Sequence, residues 1–182
     1  MCGFVGIIGV EKASSSLVIG LQAIQHRGQD AAGMGTWNSG QFSLEKEMGL
    51  VTTALPPHVV AAMQGRSGIA HVRYPTAGAE ATRNDAQPFL TRRPGILLAH
   101  NGNVTNVPEL ASSLMQDGWH VLSLCDAEPI LLVFAEALTR IRSDGHTRDD
   151  VVAAINDMGG YAIGISTNGW GGGPLPQMEA LA

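Results

Sequence analysis

The second residue of the chain is cysteine, and the segment behind it, Gly3-Phe4-Val5-Gly6-Ile7-Ile8-Gly9, has the β-branched and aromatic content of a strand. A candidate nucleophile therefore stands at the head of the first structural element. Loss of Met1 would put a thiol and a free α-amine on one residue. The thiol is a strong nucleophile. An α-amine, with a reference pKa of about 7.7–8.0, is partly neutral near neutral pH and can take a proton. The two groups share one carbon skeleton and need little further ordering. The competing reading is a small buried cysteine near a chain end, so the choice rests on the remaining sequence.

The chain has 182 residues, a one-domain length that can bury a real core, and 45% of them are hydrophobic. No apolar run reaches the length of a membrane span. The amino terminus lacks a basic segment followed by a long apolar stretch, so no secretory signal is expected. A formal charge of -5 argues against a nucleic-acid footprint and offers no basic stripe to an anionic membrane. The two cysteines, Cys2 and Cys125, form no Cys-x-x-Cys pair, which fits reduced thiols in the cytoplasm. Six histidines show no metal-ligand spacing, so no metal is expected. The glycines fall in strands and turns, which suggests backbone held close to a ligand.

Periodicity predicts a buried strand over residues 3–10, then a helix capped by Ser14–Ser16 and running through Leu17, Leu21 and Ile24. Strands at 33–37 and 41–45 flank Asn38-Ser39-Gly40, a hairpin signal. Pro56 and Pro57 open a short helix. Further buried strands are expected at 68–74 and 95–100. Asn106 is expected to cap one helix, residues 127–141 to form the longest, and Thr147 to cap another with Asp149 and Asp150 in its first turn. A last strand is expected at 161–166. Strands and helices do not alternate strictly, which favours stacked sheets with helices outside over a doubly wound parallel sheet.

Four polar clusters lie at strand ends: His26-Arg27-Gly28-Gln29-Asp30, His71 to Gly78, His100-Asn101-Gly102-Asn103, and Cys125-Asp126-Ala127-Glu128. Singly, each reads as turn chemistry. Together they supply a cation, an anion and a small polar turn around a thiol. An amino acid needs a guanidinium for its carboxylate and a carboxylate for its ammonium. A turn of Asn101 and Gly102 can offer a side-chain amide and a backbone N–H to an oxyanion.

With Cys2-Gly3-Phe4-Val5-Gly6, Gln25 to Gly33, Arg73-Tyr74-Pro75-Thr76-Ala77-Gly78, Gln87-Pro88-Phe89 and Leu98 to Asn103 in this order, the chain resembles the glutaminase domain of class II glutamine amidotransferases. Its nearest likeness is to amidophosphoribosyltransferases of purine synthesis. The resemblance runs from Cys2 to about Ile165. It implies an α+β fold, the four-layer αββα N-terminal-nucleophile hydrolase sandwich. It also implies that Cys2 attacks the side-chain amide of glutamine, with its own α-amine as base, and that Asn101 and Gly102 form the oxyanion hole. Arg73, helped by backbone near Thr76, would bind the α-carboxylate and Asp126 the α-ammonium. Arg27 would shape the site, and Tyr74 would position a lid or couple the site to a partner. His71 and His100 are expected to make structural hydrogen bonds.

Two departures qualify the likeness. The family's Arg-Asp-Pro segment after the last matched strand is not found, nor is a phosphoribosyltransferase domain. The expected organisation is thus one glutaminase domain over 2–182, short at its C-terminal end, which leaves a sheet edge or core face open. No cofactor is expected in this chain; Mg and phosphoribosyl pyrophosphate would belong to the absent domain. The expected partners are glutamine and an ammonia-accepting phosphoribosyltransferase or other domain or subunit, and a homo-oligomer stays open. Cys125 is the second departure and reads as a small buried filler. Two other functions stay open: a non-catalytic module that binds glutamine or a partner, and a Cys–His hydrolase pairing Cys2 with His71 or His100.

Overall fold

The computed structural model describes residues 2–74, 81–142 and 145–158. The expected strand at 161–166 and Thr76 lie outside the described residues. Four strands form one antiparallel sheet in the order β1-β4-β2-β3: β1 (Gly3–Ile7), β2 (Ala31–Asn38), β3 (Gln41–Met48) and β4 (Ser67–Arg73). A second antiparallel pair joins β5 (Phe89–Arg92) and β6 (Gly95–Leu98). The helices are α1 (Ala13–Ala23), α2 (Val51–Ala54), α3 (Pro57–Ala62), α4 (Val107–Gln116), α5 (Ala127–Ile141) and α6 (Arg148–Asp157).

The β2–β3 hairpin closes on Ser39 and Gly40, both at positive φ (48° and 89°). A two-residue loop with that geometry matches the twist of the flanking strands. Side chains of β2 alternate between two faces. Ala32 and Met34 join Leu17, Leu21, Val51, Ala70 and Val72 in a core beneath α1 and α2. The opposite face of β2 carries Gly33 and Gly35. A Cβ on Gly35 would lie 2.7 Å from a Leu97 methyl, and one on Gly33 would lie 2.3 Å from the Gln87 carbonyl oxygen. These glycines let β5–β6 and its approach stack directly on the large sheet. Beyond the small sheet, Ala127 and Leu131 of α5 pack on Phe89. The remaining buried side of α5, including Ile130, Val133 and Leu138, packs with Leu110 and Leu114 of α4 and Ala154 of α6. Helix, sheet, sheet and helix thus follow one another as the expected four-layer sandwich.

Several local expectations need correction. The first strand ends at Ile7 and, among the described residues, lies at the edge of its sheet, and it is not a fully buried strand: Phe4 is 46% exposed and Ile8, just past its end, 89%. The helix starts one residue before the serines. Lys12 occupies the N-cap in a left-handed conformation without a side-chain cap bond, and Ser14 is buried inside the first turn. β5 and α2 have no counterpart in the sequence pattern because each is only four residues long, too short to show a period. Helix α5 is buried on two sides, and Ile141 at its end is 40% exposed. Thr147 does cap α6, accepting from the Asp150 amide while the Asp150 carboxylate accepts from the Thr147 amide.

His71 is the largest polar side chain wholly buried in the sheet, with Gly33 and Phe4 as its cross-strand neighbours. Neither ring nitrogen makes a hydrogen bond of good geometry. Desolvation lowers its pKa to about 4, against smaller favourable effects of the Asn101 side chain and the His100 backbone. The ring is therefore neutral at neutral pH.

Two outcomes follow from this packing. Gly33→Ala should drive a methyl into the Gln87 carbonyl and destabilise the chain by about 1–3 kcal/mol, read by urea denaturation. His71 has a folded-state pKa below its unfolded value of about 6.5, so the unfolded chain binds the extra proton. Stability should therefore fall as pH drops from about 6.5 towards 4. A His71→Gln variant should lack a share of that loss on the order of 3 kcal/mol, measured as the difference between the two pH–stability curves.

Candidate active site

Cys2 immediately precedes β1, whose antiparallel register with β4 pairs Gly3 with Val72. One further step sets Cys2 beside Arg73. The Tyr74 amide donates to Cys2 Sγ at 3.3 Å, and Arg27 Nε donates to the Cys2 carbonyl at 2.9 Å. Arg27 ends a 3-10 turn, Gln25–Arg27, and the chain then passes β4 at Gly28. A Cβ there would come within 2.6 Å of the Arg73 carbonyl carbon, so only glycine allows this approach. The Asp30 amide donates to the Arg73 carbonyl at 3.1 Å. The Asp30 carboxylate forms an ion pair with the Arg73 guanidinium, and both side chains are mostly buried. Backbone and side chain together lock Asp30 to the end of β4.

A second polar group forms where β6 runs out. The Gln87 side chain grips the His100 backbone in both directions: the His100 amide donates to Gln87 Oε1 at 2.7 Å, and Gln87 Nε2 donates to the His100 carbonyl at 3.2 Å. The Gly102 amide donates to His100 Nδ1 at 3.1 Å. A backbone N–H can only donate, so Nδ1 is the acceptor and the neutral ring carries its proton on Nε2. Nε2 lies 2.9 Å from Asp126 Oδ1 and donates to it. The other oxygen of Asp126 accepts from the Val104 amide at 2.9 Å. Burial alone would raise the Asp126 pKa; the His100 and Val104 hydrogen bonds outweigh it and hold the carboxyl below its ordinary value.

His71 links the two groups. It stands two residues before Arg73 on β4, and its ring faces the Asn101 side chain, whose Oδ1 is buried without a hydrogen-bond partner.

The structure thus places Cys2, Arg27, Arg73 and Tyr74 together at the β1–β4 end, and Asn101 and Gly102 on the turn after β6, which Asp126 joins from the N-cap of α5. Among the described residues neither His71 nor His100 hydrogen-bonds Cys2 Sγ, which removes the geometric basis of a Cys–His pair. Cys125 is largely buried. Burial pushes its pKa up to about 12, and its sulfur lies 3.7 Å from Gln87 Nε2 and 3.8 Å from Asp126 Oδ1. It is a protonated thiol wedged behind the turn, as a filler would be. Sequence reasoning gave no role to Asp30 or Gln87, although both stand inside motifs that carry the resemblance. A polar residue flanked by motif glycines or prolines was the available signal. Among the described residues no cluster of three His, Cys, Asp or Glu side chains could hold a metal ion, and no helix is long and apolar enough to cross a membrane.

A scan against protein-family models returns no match. The amidophosphoribosyltransferase of Pseudomonas aeruginosa is 41% identical over 178 residues, which is 94% of this chain and 35% of that protein. The amidophosphoribosyltransferase of Escherichia coli is 43% identical over 158 residues, 85% of this chain and 31% of that protein. A solved structure described as the allosteric regulatory enzyme of purine biosynthesis superposes with a TM-score of 0.70 at 30% identity, covering 86% of this chain and 33% of that one. The glutamine phosphoribosylpyrophosphate amidotransferase of B. subtilis gives a TM-score of 0.68 at 28% identity, over 86% of this chain. The chain spans about a third of the length of the relatives it matches. With a cysteine heading β1 of a four-layer sandwich, and 41–43% identity across most of its length, the chain is similar to the amidophosphoribosyltransferases over the portion it shares with them and carries the N-terminal-nucleophile hydrolase fold.

Proposed function

We propose that this chain is the glutaminase part of a glutamine-dependent amidotransferase, converting glutamine and water to glutamate and ammonia. The single observation that carries the reading is the junction of Cys2 with the end of β4: Sγ lies 3.3 Å from the Tyr74 amide, in register with Arg73. In this reading loss of Met1 frees the α-amine of Cys2, which takes the thiol proton as sulfur bonds to the glutamine amide carbon. The carbonyl oxygen becomes an oxyanion, held by Asn101 Nδ2 and the Gly102 amide. The ammonium of Cys2 then returns its proton to the leaving nitrogen, the carbon–nitrogen bond breaks and ammonia departs. Water attacks the remaining γ-glutamyl thioester, and glutamate leaves with the thiol restored.

Arg73 would grip the glutamine α-carboxylate, with backbone near Thr76 helping. Its pairing with Asp30 is compatible with that role, because a guanidinium carries five N–H donors in a fixed fork. Asp126 would receive the α-ammonium, and its lowered pKa keeps it anionic for that purpose. Arg27 fixes the Cys2 carbonyl and so aims the nucleophile. Tyr74 presents its side chain outward, 52% exposed, as a residue that meets a lid or partner would. Ammonia would pass to an acceptor domain or subunit. The relatives' names favour phosphoribosylamine formation in purine synthesis as the destination, with the cytoplasm as the proposed compartment.

Measurements on the mature chain and its variants bear on this. Mass spectrometry should find a mature chain beginning at Cys2, and this chain should hydrolyse glutamine. A glutamine-like diazoketone should add once, at Cys2 and not at the high-pKa Cys125. Cys2→Ala should abolish turnover; a Met1-retaining chain that reacts equally well would refute the amine as base. Arg73→Ala should raise KM for glutamine by about tenfold or more, because it removes a charge-assisted bond to the α-carboxylate.

A further inference from the structure

The Gly102 amide has two claims on it. In the proposed glutaminase it donates to the oxyanion. In the structure it donates to His100 Nδ1, and the same ring donates from Nε2 to Asp126, the carboxylate assigned to the substrate ammonium. The three groups form one directed chain: Gly102 N–H to Nδ1, then Nε2–H to carboxylate. Such chains polarise cooperatively. A carboxylate on Nε2–H pushes electron density to Nδ1 and makes it a better acceptor, as for histidines backed by a carboxylate elsewhere.

We propose that His100 is a positioning residue that couples α-ammonium recognition to the oxyanion hole. In the empty site Asp126 strengthens Nδ1 and the Gly102 amide stays held by the ring. When an α-ammonium binds Asp126, it competes with Nε2–H for the same oxygen. Nδ1 weakens as an acceptor, and Gly102 N–H is released towards the oxyanion. No proton moves; one hydrogen bond is exchanged for another. The scaffold suits this exchange. The His100 backbone is clamped on both sides by Gln87, so the ring can turn without shifting the strand end. The second oxygen of Asp126 stays on the Val104 amide, which holds the carboxylate in place throughout. Gly102 itself is exposed, free to reorient and without a side chain to obstruct it. A true amino-acid amide thereby assembles its own oxyanion hole, and an amide lacking the α-amine does not.

This inference rests on the glutaminase reading, and its test separates the two. Asparagine can place an oxygen near the position of Nδ1, and glutamine a side-chain amide near that of Nε2. His100→Gln should keep the donor to Asp126 but free Gly102. His100→Asn should keep Gly102 held but lose the line to Asp126. The full chain is assayed with glutamine and with 4-carbamoylbutanoate, which is glutamine without its α-amine. In His100→Gln the preference for glutamine in kcat/KM should fall about tenfold or more, with turnover of 4-carbamoylbutanoate rising above wild type. In His100→Asn, kcat for glutamine should fall by a similar factor with little change in KM. A merely structural histidine would lower both substrates in proportion, and that result would overturn the coupling. Independently of turnover, saturating glutamate should shift the Gly102 amide and His100 ring nitrogen resonances of the wild-type chain, while glutarate should not. Equal shifts with both ligands, or none with either, overturn the proposal. A wild-type chain with no glutaminase activity overturns the functional reading instead, whatever the resonances do.

Discussion

Antiparallel pairing of β1 with β4 decides where the thiol can be. Gly3 opposes Val72, and every other position at this end follows from that register. A slip of one residue would turn the faces of β1 over and carry the Cys2 sulfur away from the Tyr74 amide. The register is held from three directions. The 3-10 turn brings Arg27 onto the Cys2 carbonyl, Gly28 lets the passing chain touch β4, and Asp30 ties the start of β2 to Arg73 through both backbone and side chain. A strand that lies at the sheet edge among the described residues and exposes Phe4 would otherwise be a weakly specified element. Here its position is set by contacts at the site as much as by core burial.

Legibility in the sequence followed contact range. Helix α5 came out with its observed limits because its length and apolar content are local properties, and the β2–β3 hairpin was announced by Asn38-Ser39-Gly40. The Thr147 cap is a four-residue signal and was equally plain. Lys12 was missed because three serines one turn later offered better cap chemistry, whereas the backbone chose a left-handed residue with no cap bond. The depth of β1 was misjudged because Phe4, Val5, Ile7 and Ile8 read as core, although only pairing order shows that β1 lies at the edge among the described strands. At the site, the residue types and their order were readable. The Asp30–Arg73 pair, the Gln87 clamp and the ring of His100 between Gly102 and Asp126 were not. Each joins residues separated by a loop or a strand, and no periodicity encodes them.

The electrostatics of the site depend on which groups stay neutral. Arg73 and Asp30 compensate one another, and the field of Arg73 reaches His71, Asp85 and Cys125. A charged His71 beneath the same surface would add uncompensated positive charge in a desolvated layer. Burial prevents this by depressing its pKa, and the neutral ring faces the carbonyl end of Asn101. Cys125 is kept protonated by the same physics acting in the opposite direction on an acid. Asp126 stays charged despite burial because His100 and Val104, with the Cys125 thiol beside them, donate to its two oxygens at the head of α5.

That distribution has a consequence for glutamine chemistry. A site assembled from permanently presented donors would stabilise an oxyanion on any primary amide that reached Cys2. On the proposed coupling, a Gly102 amide held by His100 until Asp126 receives a cation would demand the amino-acid end of the substrate before offering the full hole at the amide end. Discrimination of this kind draws on differential stabilisation of the transition state. It needs no additional pocket, only a hydrogen bond made to the wrong partner at rest.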